Sequence, residues 1–574
     1  MKSLLEKIAF GEWTTVKFSK WLWRSDIRVL NALRCFLVWL YRIIFTWRTA
    51  RAALFTVAAL VTLIAVGYTV ENWRGHRAWI QAKRTMEANG ETLDISGFIP
   101  PPVPDEQNFA MARPWSDAPG GDYLRLNFNH GAYQGMFHLL AHPYDNEGIF
   151  LPPSKMRQSA FGNMAESIPI DLKVWQQYYR DARAEAMKHS PKSEYDLFPI
   201  PDQPGNSAED VLLALSRFDD GLRQLREAGR RPYSRFPVRY EDGFKMQIRH
   251  YGVIQSPSGV LRLRALAELE LGREDAAYEE VKLQFRLAAA IQNEPLFIAH
   301  ELRAGIISTA LSTIWQGAAA HRWSDNHLAE FQSELEKLDF LHDYDRGMRF
   351  NRVLAFQAFQ YMKRTRDLEY FNAISHNLEG QLQLDHFNRW AKTYRYMPAG
   401  WFDQNASEFE KSTRPLSECR LHTSASSVDI EDWRRRLSEA KVGPIVENPY
   451  QFLATSYLVY PKISWRSTRT SQAFFHAEAL VRMGRIACAL ERYRLVHGDY
   501  PKKLEFLIPQ GISSLPVDVF NGGPLHYQAI DADHFLLYSI GWNGRDDGGK
   551  GSERHDAYGM DRSEGDWVWK YPES

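Results

Sequence analysis

The residues whose types and spacing could do chemistry lie near the C-terminal end of the 574-residue chain, in Asn543-Gly-Arg-Asp546-Asp547-Gly-Gly-Lys-Gly-Ser552, followed by Asp556 and Asp561. Clustered carboxylates with intervening glycines let a backbone curl until carboxyl and carbonyl oxygens converge, which suits a hard, oxygen-seeking cation. A polar, solvated surface loop is the competing reading. The run is not an EF-hand: counting Asn543 as the first position puts Arg545 third and Arg554 twelfth, where oxygen ligands are required. The metal candidates are therefore Asn543, Asp546, Asp547, Asp556 and Asp561.

Other chemistry is thin. His300-Glu301-Leu302-Arg303-Ala304 begins like a helical zinc-protease motif, but the second histidine that must follow one turn on is Ala304. His300 then reads as an ordinary helix residue. There is no G-x-S-x-G, no GxxxxGK[ST] and no strand-linked GxGxxG. No catalytic residue is assigned. The pairs Asp219-Asp220 and Glu279-Glu280 read as charges on solvated helix faces.

Composition narrows the function classes. Lys plus Arg equals Asp plus Glu, 70 each, so no basic field is available to hold nucleic acid. Three cysteines, Cys35, Cys419 and Cys488, offer neither a disulfide framework nor C-x-x-C spacing, and Cys488 falls in the apolar pattern of a helix as a small core residue.

The elements that must position the acidic run begin at a membrane. Residues 52–70 carry no charge, and as a helix they match the ~30 Å hydrocarbon core. Arg48 and Arg51 flank one end; Glu71, Trp73, Arg74 and Arg77 flank the other. Ten Lys/Arg precede the span in residues 1–51, against four from Arg74 to Arg84. That bias keeps the N-terminus cytoplasmic and puts the bulk of the chain outside a bacterial inner membrane. Val29–Trp47 is apolar but broken by Arg34 and Arg42, eight apart and so on one helix side. It reads as an amphipathic interfacial helix, with a second span as the alternative.

Beyond the span the helix should continue to Asn89 and stop at Gly90. Four prolines within Pro100–Pro104 predict an extended, stiff spacer, or a recognition motif for a proline-binding groove. Turn signals at 143–148 and a helical run from Asp171 to His189 make 121–205 a mixed segment. Periodicity is helical from Ala208 to about Arg366, with one helix ending at the Gly272 turn before the next. That hairpin resembles half of a tetratricopeptide unit, without a second copy at the 34-residue period.

The fold class is thus mainly α with a C-terminal α+β module. The expected boundaries are a basic, amphipathic segment 1–51, the span 52–70, a juxtamembrane helix and Pro-rich linker 71–120, the mixed segment 121–205, a helical, bundle-like domain 206–445, and an α+β domain 446–574. In the last, a helix from about Thr470 to His497 carries Leu480, Met483, Ala487 and Leu490 on one stripe. Strand-like pieces at 525–529, 534–539 and 567–569 give it a small antiparallel sheet to pack on.

This last region resembles the globular end of the type II secretion major pseudopilins, from about Arg485 to Asp561. The matching residues are Ala487–Pro501, Leu504-Glu-Phe-Leu507, Leu515–Tyr527, and Tyr538-Ser-Ile-Gly541 with the Gly-Gly loop after it. The resemblance implies a long helix, a small sheet and a calcium-holding turn near Asp546, Asp547 and Asp556. It also implies a secretion or pilus-like setting. The chain departs from that family in lacking the leader, processing glycine and N-terminal spine helix, so an ordinary filament subunit is not expected. The whole chain looks like bacterial membrane proteins that carry such an end as an accessory module. The expected function is a non-catalytic interaction or assembly module anchored in the envelope by one span, with envelope proteins as partners. The alternative is an envelope hydrolase with a non-local site in the helical middle.

Overall fold

The computed structural model describes residues 28–44, 47–113, 160, 162–189, 198–248, 250–370, 394–418, 429–439, 450, 468–509, 511–552, 555–556 and 559–572. The turn signals at 143–148, Cys419 and Glu553–Arg554 lie outside them. The chain is mostly helical, with one long apolar helix near its N-terminus and a small three-stranded antiparallel sheet near its C-terminus. It forms two compact units: residues up to His76 with Pro398–Gly400, and Arg77–Met397 with Trp401–Ser574.

In the first unit, helix α1 covers Arg28–Ile44 and helix α2 begins at Trp47. Leu54, Phe55, Leu60, Leu63 and Ile64 are all more than half exposed, the pattern of a helix whose side chains meet lipid. From Arg48 onward α2 is long and apolar enough to cross a membrane, and it is the one such helix among the described residues. Its Thr56, Thr62 and Thr69 hydroxyls each donate to the carbonyl one turn back, so none of these three is bare on the apolar surface. Close to the polar end, the Gly400 amide donates to the Asn72 side chain at 2.9 Å. A Cβ added at Gly75 would fall 2.0 Å from the Gly400 carbonyl oxygen, so the two backbones meet where only glycine fits.

The second unit takes over the end of α2, which runs unbroken to Ala88. Gly90, at φ +74°, closes it: the Glu91 amide donates back to the Met86 carbonyl at 2.9 Å. The proline-rich segment is no free spacer. Phe98 packs edge-on to Phe350, Phe109 is fully buried, and Asn108 bridges to Tyr233, so the linker is laid against the helical core.

Helices α3 (Leu172–His189), α4 (Ser207–Leu215) and α5 (Asp219–Gly229) lead into α6 (His250–Gln255) and the hairpin of α7 (Pro257–Glu270) and α8 (Glu274–Ala290). At that hairpin Gly272 takes φ +70° and Arg273 donates to the Glu268 carbonyl, the predicted turn. Helices α9 (Phe297–Ala319), α10 (Asp325–Glu336), α11 (Phe340–Thr365), α12 (Ala399–Glu418) and α13 (Ile430–Glu439) follow.

Helix α14 (Thr468–His497) is the keystone. The stripe Leu480, Met483, Ala487 and Leu490 is buried as expected, but so are Val481, Ile486, Cys488 and Ala489 on the other sides. The reason is that α14 packs on α9, α10 and α11 as well as on the sheet. Gly484 marks the tightest crossing: a Cβ there would lie 2.8 Å from Leu311 of α9 and 3.5 Å from Trp569 of the sheet. A fragment cut before α14 would therefore expose its bundle-facing side, an arrangement invisible to a reading of α14 as one-sided.

The sheet order is β1 (His526–Ala529), β2 (Phe535–Ser539) and β5 (Trp567–Lys570), with β2 central and both pairings antiparallel. Tyr527 faces Leu537, and Leu537 faces Trp569, placing one apolar row toward α14. A separate two-residue ladder joins β3 (His555–Asp556) to β4 (Gly559–Met560).

Candidate functional site

The acidic run forms a tight loop between β2 and β5. Gly548 and Gly549 both take positive φ, and a Cβ on Gly549 would fall 2.6 Å from Leu536, so only glycine passes over β2 here. The loop is organised by a residue that the sequence reading did not select. Asp566, fully buried at the start of β5, accepts hydrogen bonds from the amides of Asp547 (3.1 Å) and Gly549 (2.7 Å). Burial pushes its carboxyl up from the ordinary range, against the pull of those two amides.

Asp546 turns the other way. It accepts from the Gly548 amide at 2.9 Å and from the Tyr538 hydroxyl at 3.0 Å, with His526 Nδ1 3.5 Å from its second oxygen. These donors, the Gly548 amide first, hold its carboxyl below the usual carboxylate range. Burial, with Asp546 beside it, pushes the Tyr538 phenol up to about 12. Asn543 donates to Asp547 at 2.6 Å and accepts from the Arg545 amide. Asp561 is engaged elsewhere, accepting from the amide and hydroxyl of Ser563. The side chain of Asp556, on β3, lies outside the described residues.

The structure thus brings Asn543, Asp546 and Asp547 onto one loop, adds Asp566, and gives Asp561 a local role. Among the described residues no three His, Cys, Asp or Glu side chains converge as a metal site. A cation would have to draw Asp546 from Tyr538 and Asp547 from Asn543. Asp566 escaped the sequence reading because it sits 17 residues past Gly549, at the mouth of a strand whose pattern is aromatic.

Two clusters of converging histidines and acids in the helical middle are sealed, whereas His327 Nε2 meets the exposed Asp275 at 3.0 Å on the surface. His250 Nε2 lies 2.9 Å from Glu294, which also accepts from Tyr251 at 2.5 Å, and all three are buried. His300 is fully buried in α9, with Nδ1 3.4 Å from Asp343, a carboxylate also held by Arg303. Desolvation tends to raise the Asp343 carboxyl, but His300 and Arg303 together outweigh it and keep it low. These clusters fasten helices together and offer a substrate no entry.

The paired acids need correction on one member. Asp220 and Glu279 are exposed, but Glu280 is buried and accepts from Arg226 at 2.5 Å and Arg264 at 3.0 Å, while Asp219 binds the same Arg264 at 2.8 Å. Sequence spacing placed Glu280 on a charged face because its arginines come from α5 and α7, 54 and 16 residues away. Cys488 is a buried free thiol, its pKa pushed up by burial, as a core residue should be.

Large apolar side chains are exposed around the far end of α14: Leu495 (49%), Val496 (76%), Phe506 (59%), Ile508 (40%) and Ile530 (60%). The Leu504–Leu507 turn follows α14 closely in the chain, and Arg494 donates to the Ala532 carbonyl at 2.8 Å, holding the β1–β2 turn near the same end. Comparison with protein-family models, with curated proteins and with solved structures finds no match for this chain.

Proposed function

We propose that this protein is a non-catalytic interaction or assembly module, held in a bacterial inner membrane by residues 52–70 with most of its mass outside the cytoplasm. The observation that carries this reading is the apolar set at the end of α14. Leu495, Val496, Phe506, Ile508 and Ile530 remain exposed at and just beyond the end of one helix, and exposed large apolar side chains gathered in this way favour a protein-binding surface. The likeness of 485–561 to pseudopilins favours an envelope partner of the secretion or pilus-like kind. Burial of the His250–Glu294 and His300–Asp343 clusters leaves those two without access for a substrate of the hydrolase alternative.

The test is site-specific photocrosslinking in membranes of the native host, with the reactive residue at Val496 or Phe506 and, as control, at exposed Asp275 on α8. A discrete adduct from the first two positions and none from the control is expected. Equal, diffuse labelling at all three would remove the interaction reading. A reporter fused after Ser574 should be active only outside the cytoplasm, as the positive charges before the span require.

Calcium belongs to the same proposal, with Asn543, Asp546 and Asp547 as the ligand-bearing loop and Asp566 shaping it. For a site with a dissociation constant of about 10 μM, ~1 mM calcium stabilises the folded state by about 2.7 kcal/mol. Magnesium should do less, because it demands strict octahedral geometry and gives up water reluctantly. Changing Asp546 and Asp547 together to Asn should abolish the gain in thermal midpoint. Identical melting in calcium and in EDTA would leave the loop as the self-satisfied turn its hydrogen bonds already make.

A further inference from the structure

A cavity of about 720 Å³ opens between the last turns of α2, the segment before Gln247 and one face of α11. Its size suits a small organic ligand. Gln357, Tyr361 and Arg364 recur on α11 at the spacing of one helical face, and Trp79 and Lys83 do so on α2. Trp79 packs on Phe356 at 5.4 Å between ring centres, joining the two helices at the base.

The charges around the cavity are equal in number, four positive and four negative, but they are not evenly paired. Lys245 is answered by Asp367 at 3.1 Å and Glu369 at 3.6 Å. Glu241 and Asp242 are answered by Arg239 at 3.3 and 3.4 Å. Among the described residues neither Lys83 nor Arg364 has a carboxylate within 4.0 Å; Lys83 only lies over the Trp79 ring at 5.6 Å. Two cations without an ion-pair partner among the described residues therefore face a cavity that also presents the Gln357 amide as a hydrogen-bond donor, the Tyr361 ring, whose hydroxyl donates to Asp367 at 3.1 Å, and half-buried Leu93 and Ile95 as an apolar wall. Phosphate is the anion this set suits, since guanidinium forks and ammonium groups both bind its oxygens.

We propose that this cavity binds a phosphate ester with an apolar part, with Lys83 and Arg364 on the phosphate and Leu93 and Ile95 against the apolar portion. Trp79 follows the apolar stretch 52–70 by nine residues in sequence, so bilayer phospholipid is the source at highest local concentration once that stretch is inserted. A soluble phosphate ester has the same recognition chemistry.

The experiment uses full-length protein in mild detergent, read by tryptophan fluorescence, with three probes: dihexanoyl phosphatidylglycerol, glycerol 3-phosphate and dihexanoylglycerol, which has no phosphate. Phosphatidylglycerol binding that weakens about tenfold or more in Lys83→Ala and again in Arg364→Ala supports the site. Lys83→Arg and Arg364→Lys should keep most of the affinity, and circular dichroism should be unchanged throughout. Glycerol 3-phosphate binding as tightly as the lipid, with the same dependence on both cations, also supports it and identifies a soluble source. Dihexanoylglycerol binding as well as the phosphate-bearing lipid, or affinities indifferent to both alanine variants, would overturn the proposal.

Discussion

Full-length protein carrying Leu60→Asp and Ile64→Asp is expected to disappear from the carbonate-resistant membrane fraction. The two positions lie one turn apart in the middle of the uncharged run, on a helix that is wholly exposed there. An acid at the centre of a spanning helix costs about 2.5–3.5 kcal/mol on insertion scales, so the pair costs roughly 5–7 kcal/mol. That exceeds what the remaining apolar residues of the run can recover for a helix of marginal length. Leu60→Val with Ile64→Val, which keeps the surface apolar, should fractionate like the parent. The experiment also decides the role of α1. Its Phe36 and Trp39 are more than half exposed, so it has apolar surface for lipid of its own. If the double Asp variant stays in the membrane, α1 is the anchor or a second span, and the single-span reading fails.

What was legible in the sequence is what local physics writes locally. The end of α2 at Gly90, the Gly272 hairpin, the start and stop of α14 and the three strand pieces all appear where periodicity and glycine placement put them. What was illegible depends on partners far away in the chain. The sequence offers α14 one apolar stripe, with Cys488 read as core, yet its other faces also carry Val481 and Ala489, small or slim enough for bundle helices to approach. Prolines 100–104 predict extended backbone, which forms, but nothing local reveals that Phe98 will be half-buried against Phe350 of α11 and Phe109 fully buried beside Phe236. Glu280 and Asp566 look like any surface acid until the structure supplies two arginines to one and two backbone amides to the other. The acidic loop was found because its members are adjacent. Its buried organiser was missed because it is not.

Glu491→Ala should lower stability by about 3–5 kcal/mol, because it removes the shared acceptor of a largely buried polar cluster. Glu491, on α14, accepts from Tyr500 at 2.5 Å and from Tyr571 at 2.8 Å, and all three are at most 5% exposed. Its other oxygen lies 3.0 Å from His321 Nδ1, a residue at positive φ just past α9. One carboxylate therefore ties the helical bundle, the turn after α14 and the last residues of the sheet. Burial first, and then the neighbouring carboxylate, pushes the Tyr571 and Tyr500 phenols well above their ordinary range, so both remain hydroxyl donors at any pH the protein meets. Alanine leaves two buried hydroxyls without their acceptor, each costing about 1–3 kcal/mol if no water replaces it, while the part-exposed His321 keeps Asp533 and solvent as partners. Tyr500→Phe removes a single donor and should cost nearer 1 kcal/mol. Glu491→Gln retains one acceptor oxygen and should fall between. Urea denaturation of the full-length protein in detergent measures all three. A Glu491→Ala midpoint no lower than that of Tyr500→Phe would mean that the carboxylate is dispensable and that packing of Phe535 on Tyr500 and Tyr571 alone joins these elements.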